Sequence, residues 1–408
     1  MKQENVLLVN RDISWLAFND RVLQEANDPT VPLLDRLKFL GIVSSNRDEF
    51  FRVRVATIKR MIRLGKKGQE ILGEDPSLLL ERIQKIIVRQ QEHFDESYEN
   101  ILRELALHGV FILSEKQLSP EQGVFVKQYF REQVLPTLVP VLLDNVKRFP
   151  YLRDKSIYFM VVMQKKDGKQ KYALVEIPGD LLPRFIVLPK DNKYVILLDD
   201  VIRYCLDDLF FNFDYDSINA FTIKLTRDAE LDIEQDVTKS LVKKVAESIK
   251  RRSKGQPTRL LYDEDLPETA VDYLMKRIKF SKEDQPIPAG RYHNFVDFIR
   301  FPSLNKTDLR TKNPPPLAHP DLKPNQSVLK VIREKDILLN FPYQSYHHII
   351  DVLREASIDP KVKSIEITLY RASKNSHIVN ALINAIRNGK QVTAVVELQA
   401  RFDEENNI

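Results

Sequence analysis

Apolar residues recur at three- and four-residue steps through the first hundred positions, and that spacing predicts helices. In DISWLAFNDRVLQEAND, residues 12–28, Ile13, Leu16, Ala17, Val22, Leu23 and Ala26 fall near one face, and Asp28-Pro29 stops the helix. A second helix is expected from about Asn46 to Leu64, ended by Gly65, and a third from Pro76 to Leu107, closed by His108-Gly109. Residues 1–108 therefore read as a helical N-terminal domain.

From 109 to 313 the apolar runs shorten and the texture becomes mixed α/β. IYFMVVMQ and KYALVEI flank Lys165-Lys166-Asp167-Gly168-Lys169, a hairpin with an Asp-Gly turn. FIVLP, KYVILLDD, AFTIKLT and TRLLYD add short strands, with helices expected near 120–134, 199–210, 236–252 and 267–278. KNPPPLAHPDLKP, residues 312–324, carries five prolines, so neither a helix nor a central strand can run through it, and it marks a domain boundary. Beyond it come a helix over Tyr346–Ser357, strand VKSIEITLY, helix NSHIVNALINAIRNGK and strand QVTAVVEL. Strand, helix and strand with short joints form a βαβ unit whose strands are parallel. The fold class is multidomain α+β: the helical domain, a mixed α/β middle domain and an α/β domain over 314–408.

Composition narrows the class. No apolar run reaches the ~18 residues of a membrane helix, and the start, MKQENVLLVNRDISW, is too short and polar for a signal peptide. One cysteine, Cys205, precludes an internal disulfide and fits a reducing, cytosolic setting. The formal charge of +5, from 63 basic and 58 acidic side chains, is too small to argue for nucleic acid. The seven histidines do not cluster at metal-ligand spacing.

Three groups of residues carry candidate chemistry. Strands ending in TLY and ELQA are followed by Arg371 and Arg401, and parallel strands put both at one sheet edge, where open α/β folds bind ligands. Two guanidinium forks there read as a phosphate clamp or as two solvated arginines. Asn46, in SSNRDEFF, reads as a helix N-cap, with Ser45-x-x-Asp48 and Asn46-x-x-Glu49 resembling capping boxes, or as an amide meeting the base or phosphates of a nucleotide. Arg52, Lys59, Arg63 and Lys66 fall at seven-, four- and three-residue steps, one helix face that is either solvated or suited to a long polyanion. The run Lys250-Arg251-Arg252-Ser253-Lys254 reads as a surface loop, since no nucleic-acid reading motif accompanies it. Of His347 and His348, one is expected packed and one exposed, and His377 opens a helix near the Arg371 strand end. None has a positioned partner that would make it a nucleophile.

DISWLAFNDRVLQEA, FLGIVSSNRDEFFRVRVA, FPYQSYHHIIDVLREASIDP, ITLYRAS and AVVELQARFDEENNI together resemble the bacterial polyphosphate kinase family that works through a phosphohistidine. The resemblance runs the length of the chain and makes its last part the first of the family's phospholipase-D-like catalytic domains. It implies reversible transfer of the ATP γ-phosphate to polyphosphate with Mg2+, with ATP, ADP and polyphosphate as partners and no nucleic acid. It also implies a cytoplasmic homo-oligomer with peripheral membrane association. On the same basis Asn46 matches the ATP-contacting asparagine, and Arg371 and Arg401 match the arginines around phosphate and Mg2+. Arginine cannot ligate a cation, so both are read as holding phosphate oxygens. Arg52, Lys59, Arg63 and Lys66 would line a path for the polymer. The family's phosphorylated histidine stands in an H-x-K segment that these 408 residues lack, so the chain is expected to be truncated and inactive alone. The rival expectation is a non-catalytic polyanion-binding or assembly module.

Overall fold

The computed structural model describes residues 9–190, 193–228, 255–278, 286–373, 375–400 and 404–408. The expected helix over 236–252, the basic run 250–254 and Arg401 lie outside the described residues. Contacts gather the described residues up to Thr311 into one compact unit and those from Lys312 onward into a second. The helical segment and nearly all of the mixed segment thus belong to the first unit.

Helix α1, Arg11–Asn27, starts on Asn10, whose side chain accepts from the Asp12 and Ile13 amides and so satisfies two otherwise orphaned donors. Helix α5, Pro76–Leu107, follows the expected bounds, with Asp75 as cap and proline in its first turn. The second helix departs from expectation. Helix α2 begins at Leu33 and runs to Phe50, then passes through a π-helical turn, Phe51–Val55, into α3, Ala56–Arg63. Leu33, Leu34, Leu37, Leu40 and Val43 already have helical spacing, and all are buried with Phe94 and Tyr98 of α5 and with Phe295 and Phe298. Those aromatics sit on a 3-10 turn, Phe295–Arg300, far downstream in sequence.

Gly65, at φ +58°, turns the chain from α3 into α4, Lys66–Leu72. Gly68 lies so close to the end of α3 that a Cβ would stand 2.0 Å from the Met61 carbonyl oxygen. Gly68→Ala is therefore expected to cost about 1–3 kcal/mol by overpacking. A thermal melt within one degree of wild type would show that this corner yields freely.

A six-stranded sheet, in the order β2-β4-β3-β7-β8-β9, forms the middle of the first unit. Its strands are β2 (Val141–Leu142), β3 (Tyr158–Gln164), β4 (Gln170–Glu176), β7 (Ser217–Arg227), β8 (Pro257–Asp263) and β9 (Ile287–Ala289). All neighbours are antiparallel except β8 and β9. The expected hairpin is β3 with β4, Gln164 opposite Gln170, and Gly168 takes φ +84° in its turn. Alternation along β3 splits its side chains between two cores. Phe159, Val161 and Met163 join one, while Tyr158, Met160 and Val162 join the other. A second sheet, β1-β6-β5, uses Phe111–Leu113, Tyr194–Leu197 and Phe185–Val187. Helix α6 (Pro120–Tyr129), with α7 (Leu198–Tyr204) and α8 (Leu206–Leu209) after β6, contributes to the first core, where Cys205 is fully buried.

In the second unit, α9 (Val328–Glu334) and α10 (His347–Ile358) precede β10, Ser364–Leu369; helix α11, His377–Arg387, then leads to β11, Gln391–Val396. The two strands are parallel, registered from Ser364 opposite Gln391 to Leu369 opposite Val396. Leu353, Ile365, Leu382 and Ala385 form the core between helices and sheet.

Candidate functional site

The candidate residues fall on both units, and each set stands on its own. Asn46 lies well inside α2, so the N-cap and capping-box readings fail, as does placement near a positive helix end. The helix starts earlier because the leucines from 33 onward have a core to enter. The half-buried Asn46 is instead oriented by a relay. Asn19, buried on α1, donates Nδ2 to the Val43 carbonyl at 3.4 Å. A carbonyl can only accept, which fixes the Asn19 amide and turns its Oδ1 toward Asn46, whose Nδ2 donates to it at 3.0 Å. Among the described residues the Oδ1 and the second N–H of Asn46 take no hydrogen bond. Sequence reasoning missed Asn19, although a polar residue among the apolar positions of α1 was a visible signal.

Asp48 is not a capping residue either. It is 8% exposed and accepts from Lys224 Nζ at 2.5 Å and from Arg259. Lys224 and Arg259 are 1% and 3% exposed, and the Arg259 guanidinium stacks 4.4 Å from the centre of the Phe51 ring. Burial alone would raise the Asp48 carboxyl, but Lys224 and Arg259 overcome it and hold the group well below the usual aspartate value. The signal was in AFTIKLT: Thr222, Lys224 and Thr226 alternate with core residues, so a polar row faces inward from β7.

The basic stripe does not form one continuous face. Arg52 is buried in an ion pair with Asp154 at 2.8 Å, and Lys59 donates to the Thr258 carbonyl at 2.7 Å. Arg63 and Lys66 are exposed. The π turn between α2 and α3 shifts the helical phase that the spacing argument had assumed.

In the second unit Arg371 follows the carboxyl end of β10, exposed, with its guanidinium 5.6 Å from the centre of the Tyr370 ring. Asn407 ties both strand ends together. Its Nδ2 donates to the Tyr370 carbonyl at 2.9 Å and to the Glu397 carbonyl at 2.7 Å, while its Oδ1 accepts from the Ala372 amide. Asn407 sits on a short helical turn, α12, Glu404–Asn407. Helix α11 also starts near this edge, capped by Ser376, with exposed His377 as its first residue. A guanidinium and a helix N-terminus at the carboxyl edge of parallel strands suit an anionic ligand. His347 is exposed and His348 packed, with Nε2 accepting from the His319 amide at 3.0 Å. Burial pushes the Cys205 thiol up to about 12, which makes it inert.

This is the architecture of a multidomain chain whose α/β unit carries an exposed guanidinium at the carboxyl edge of its parallel strands. Comparison makes it specific: family models for polyphosphate kinase match the chain in order. The N-terminal domain covers residues 8–113, the middle domain 121–301 and C-terminal domain 1 residues 327–408. The chain belongs to the polyphosphate kinase family. Similar proteins include the polyphosphate kinase of Vibrio vulnificus, 45% identical over 98% of this chain and 58% of the relative. That of Escherichia coli K12 is 41% identical over the whole chain and 60% of the relative. The crystal structure of polyphosphate kinase from Porphyromonas gingivalis matches with a TM-score of 0.76 and 33% identity, over 98% of this chain and 57% of that one. The chain thus spans less than two thirds of the length of these relatives.

Proposed function

We propose that this chain is the nucleotide- and phosphate-binding part of a polyphosphate kinase, dividing as 1–108, 109–313 and 314–408. The reaction is reversible transfer of the ATP γ-phosphate to polyphosphate, through a phosphohistidine outside residues 1–408. The observation that carries this reading is the family match in register along the chain, with Arg371 at the carboxyl end of β10. Arg371, with Arg401 as its expected companion, holds phosphate oxygens and offsets charge on the transferring group. Among the described residues no three His, Cys, Asp or Glu side chains group to hold a metal. Mg2+ enters this reading as the companion of ATP. No described helix is long and apolar enough to cross a membrane. The reading includes a cytoplasmic homo-oligomer with peripheral membrane contact.

The test is direct: the 408-residue chain should bind ATP and polyphosphate but incorporate no labelled γ-phosphate into polymer. Synthesis by this chain would sink the placement of the histidine outside it.

Asn46 deepens the nucleotide assignment. Its remaining acceptor and N–H match the donor and acceptor on the N6/N7 edge of adenine, the pairing that an asparagine amide makes in two hydrogen bonds. Phosphate offers acceptors only, so a base contact uses more of this amide. Asn19→Ala frees the Asn46 amide to rotate and should weaken ATP binding by about 1 kcal/mol, roughly five-fold, with polyphosphate affinity unchanged. Calorimetry that finds both affinities unaltered would remove Asn19 from this role.

A further inference from the structure

Around Asp48 the buried cations outnumber the carboxylates that touch them. Arg52 has Asp154, but Lys224 and Arg259 share the single carboxylate of Asp48. Among the described residues buried Arg47 touches no carboxylate directly: it donates to the Gln91 side chain at 2.7 Å, and Gln91 in turn donates to Asp95, whose charge faces Arg47. Arg47, Lys224 and Arg259 border a cavity of about 20 Å3, also lined by Asp48, His293 and Asn294. Burial and the cations Lys224, Arg259, Arg184 and Arg203 push His293 down to about 3, so its ring is neutral and keeps one N–H. His293 is 3% exposed, and among the described residues neither of its ring nitrogens has a hydrogen-bond partner. The buried Nε of Arg259 is likewise without one. Lys224 Nζ gives two of its three protons to Asp48 and Asn294. The cavity wall therefore holds surplus donors and surplus positive charge.

The geometry points to a buried site for one small monovalent anion of halide size, held by Lys224, Arg259 and His293. A volume near 20 Å3 has room for about one small particle. Buried cations without a counter-charge are costly, and an anion uses donors without needing acceptors in return. Such an ion would join three parts of the chain: α2 through Asp48, the sheet through Lys224 and Arg259, and the segment carrying His293. Nothing in the phosphate-binding reading requires this site.

Bromide tests it. Crystals of the whole chain grown in sodium bromide should show an anomalous peak inside the cavity. Melting in sodium chloride or bromide should rise saturably by about 2–4 °C over sodium gluconate at matched ionic strength. Asn294→Asp would supply the negative charge from within, because Asn294 Oδ1 already accepts from Lys224 at 2.8 Å, although the variant gives up the bond that Asn294 Nδ2 donates to Asp297. Aspartate also tolerates the φ of +62° there. This variant should lose both the bromide peak and the halide-specific rise. Absence of a bromide peak in the wild-type cavity overturns the proposal, whatever the melting curves show, and leaves it a water site.

Discussion

Asp48→Asn is expected to lower folding stability by about 3–5 kcal/mol, the scale for breaking a buried ion pair by removing one partner. The amide keeps the shape and removes the charge, leaving Lys224 and Arg259 buried without their shared carboxylate. Urea denaturation measures the loss, and a change below about 1 kcal/mol would show that the cluster is not held by that charge. Adding Lys224→Met should recover part of it, because the pair then leaves one unmatched cation fewer. Acid should weaken the same cluster in two stages. His293 sits at about 3 in the fold against an ordinary 6.5, so the unfolded chain binds the extra proton between those values. Stability therefore falls as pH drops from 6.5 toward 3. Asp48 is held below its ordinary 3.8, so its contribution is present above that value and lost as pH falls further. A stability profile flat from pH 7 to pH 4 would contradict the His293 stage.

Arg371→Ala should weaken polyphosphate binding by about ten- to a hundred-fold, the loss of a charge-assisted contact of about 1.5–3 kcal/mol. Arg371→Lys should restore only part, because an ammonium keeps the charge but not the planar fork that grips two oxygens. The exposed position makes the effect shrink as salt rises. Filter binding with long-chain polyphosphate, at fixed salt, reads each variant. If Arg371→Ala with Arg401→Ala binds as wild type does, the phosphate clamp is wrong for this chain. Asn407→Ala offers an independent comparison. It removes the clip between the two strand ends and should weaken binding less than Arg371→Ala, since no charge is lost.

Local pattern alone specified a large part of the molecule. The bounds of α5, the Asp-Gly hairpin and the parallel pairing of β10 with β11 all follow from short-range signals: caps, turn chemistry and hydrophobic period. The position of Arg371 after β10 follows too, because a strand end is a local event. The start of α2 escaped that reasoning. The leucines from 33 onward are helical in spacing, but the aromatic turn they pack against lies at 295–300. A capping-box pattern at 45–49 offered a competing start.

Side-chain partnership was the least legible layer. By sequence, Asp48 looked like part of a capping box, Arg52 like part of a basic stripe either solvated or suited to a polyanion, and Lys224 like one residue of a strand. By itself the sequence determined most of the elements, the family and the strand edge that carries Arg371, but not where α2 begins. Only the tertiary structure decided that Asp48 meets Lys224 and Arg259 in the interior, that Arg52 turns inward to Asp154, and that Asn19 orients Asn46. The physical reason is range. Helix, turn and strand preferences act over a few residues, whereas a buried charge takes its partner from whichever segments the packed core brings together.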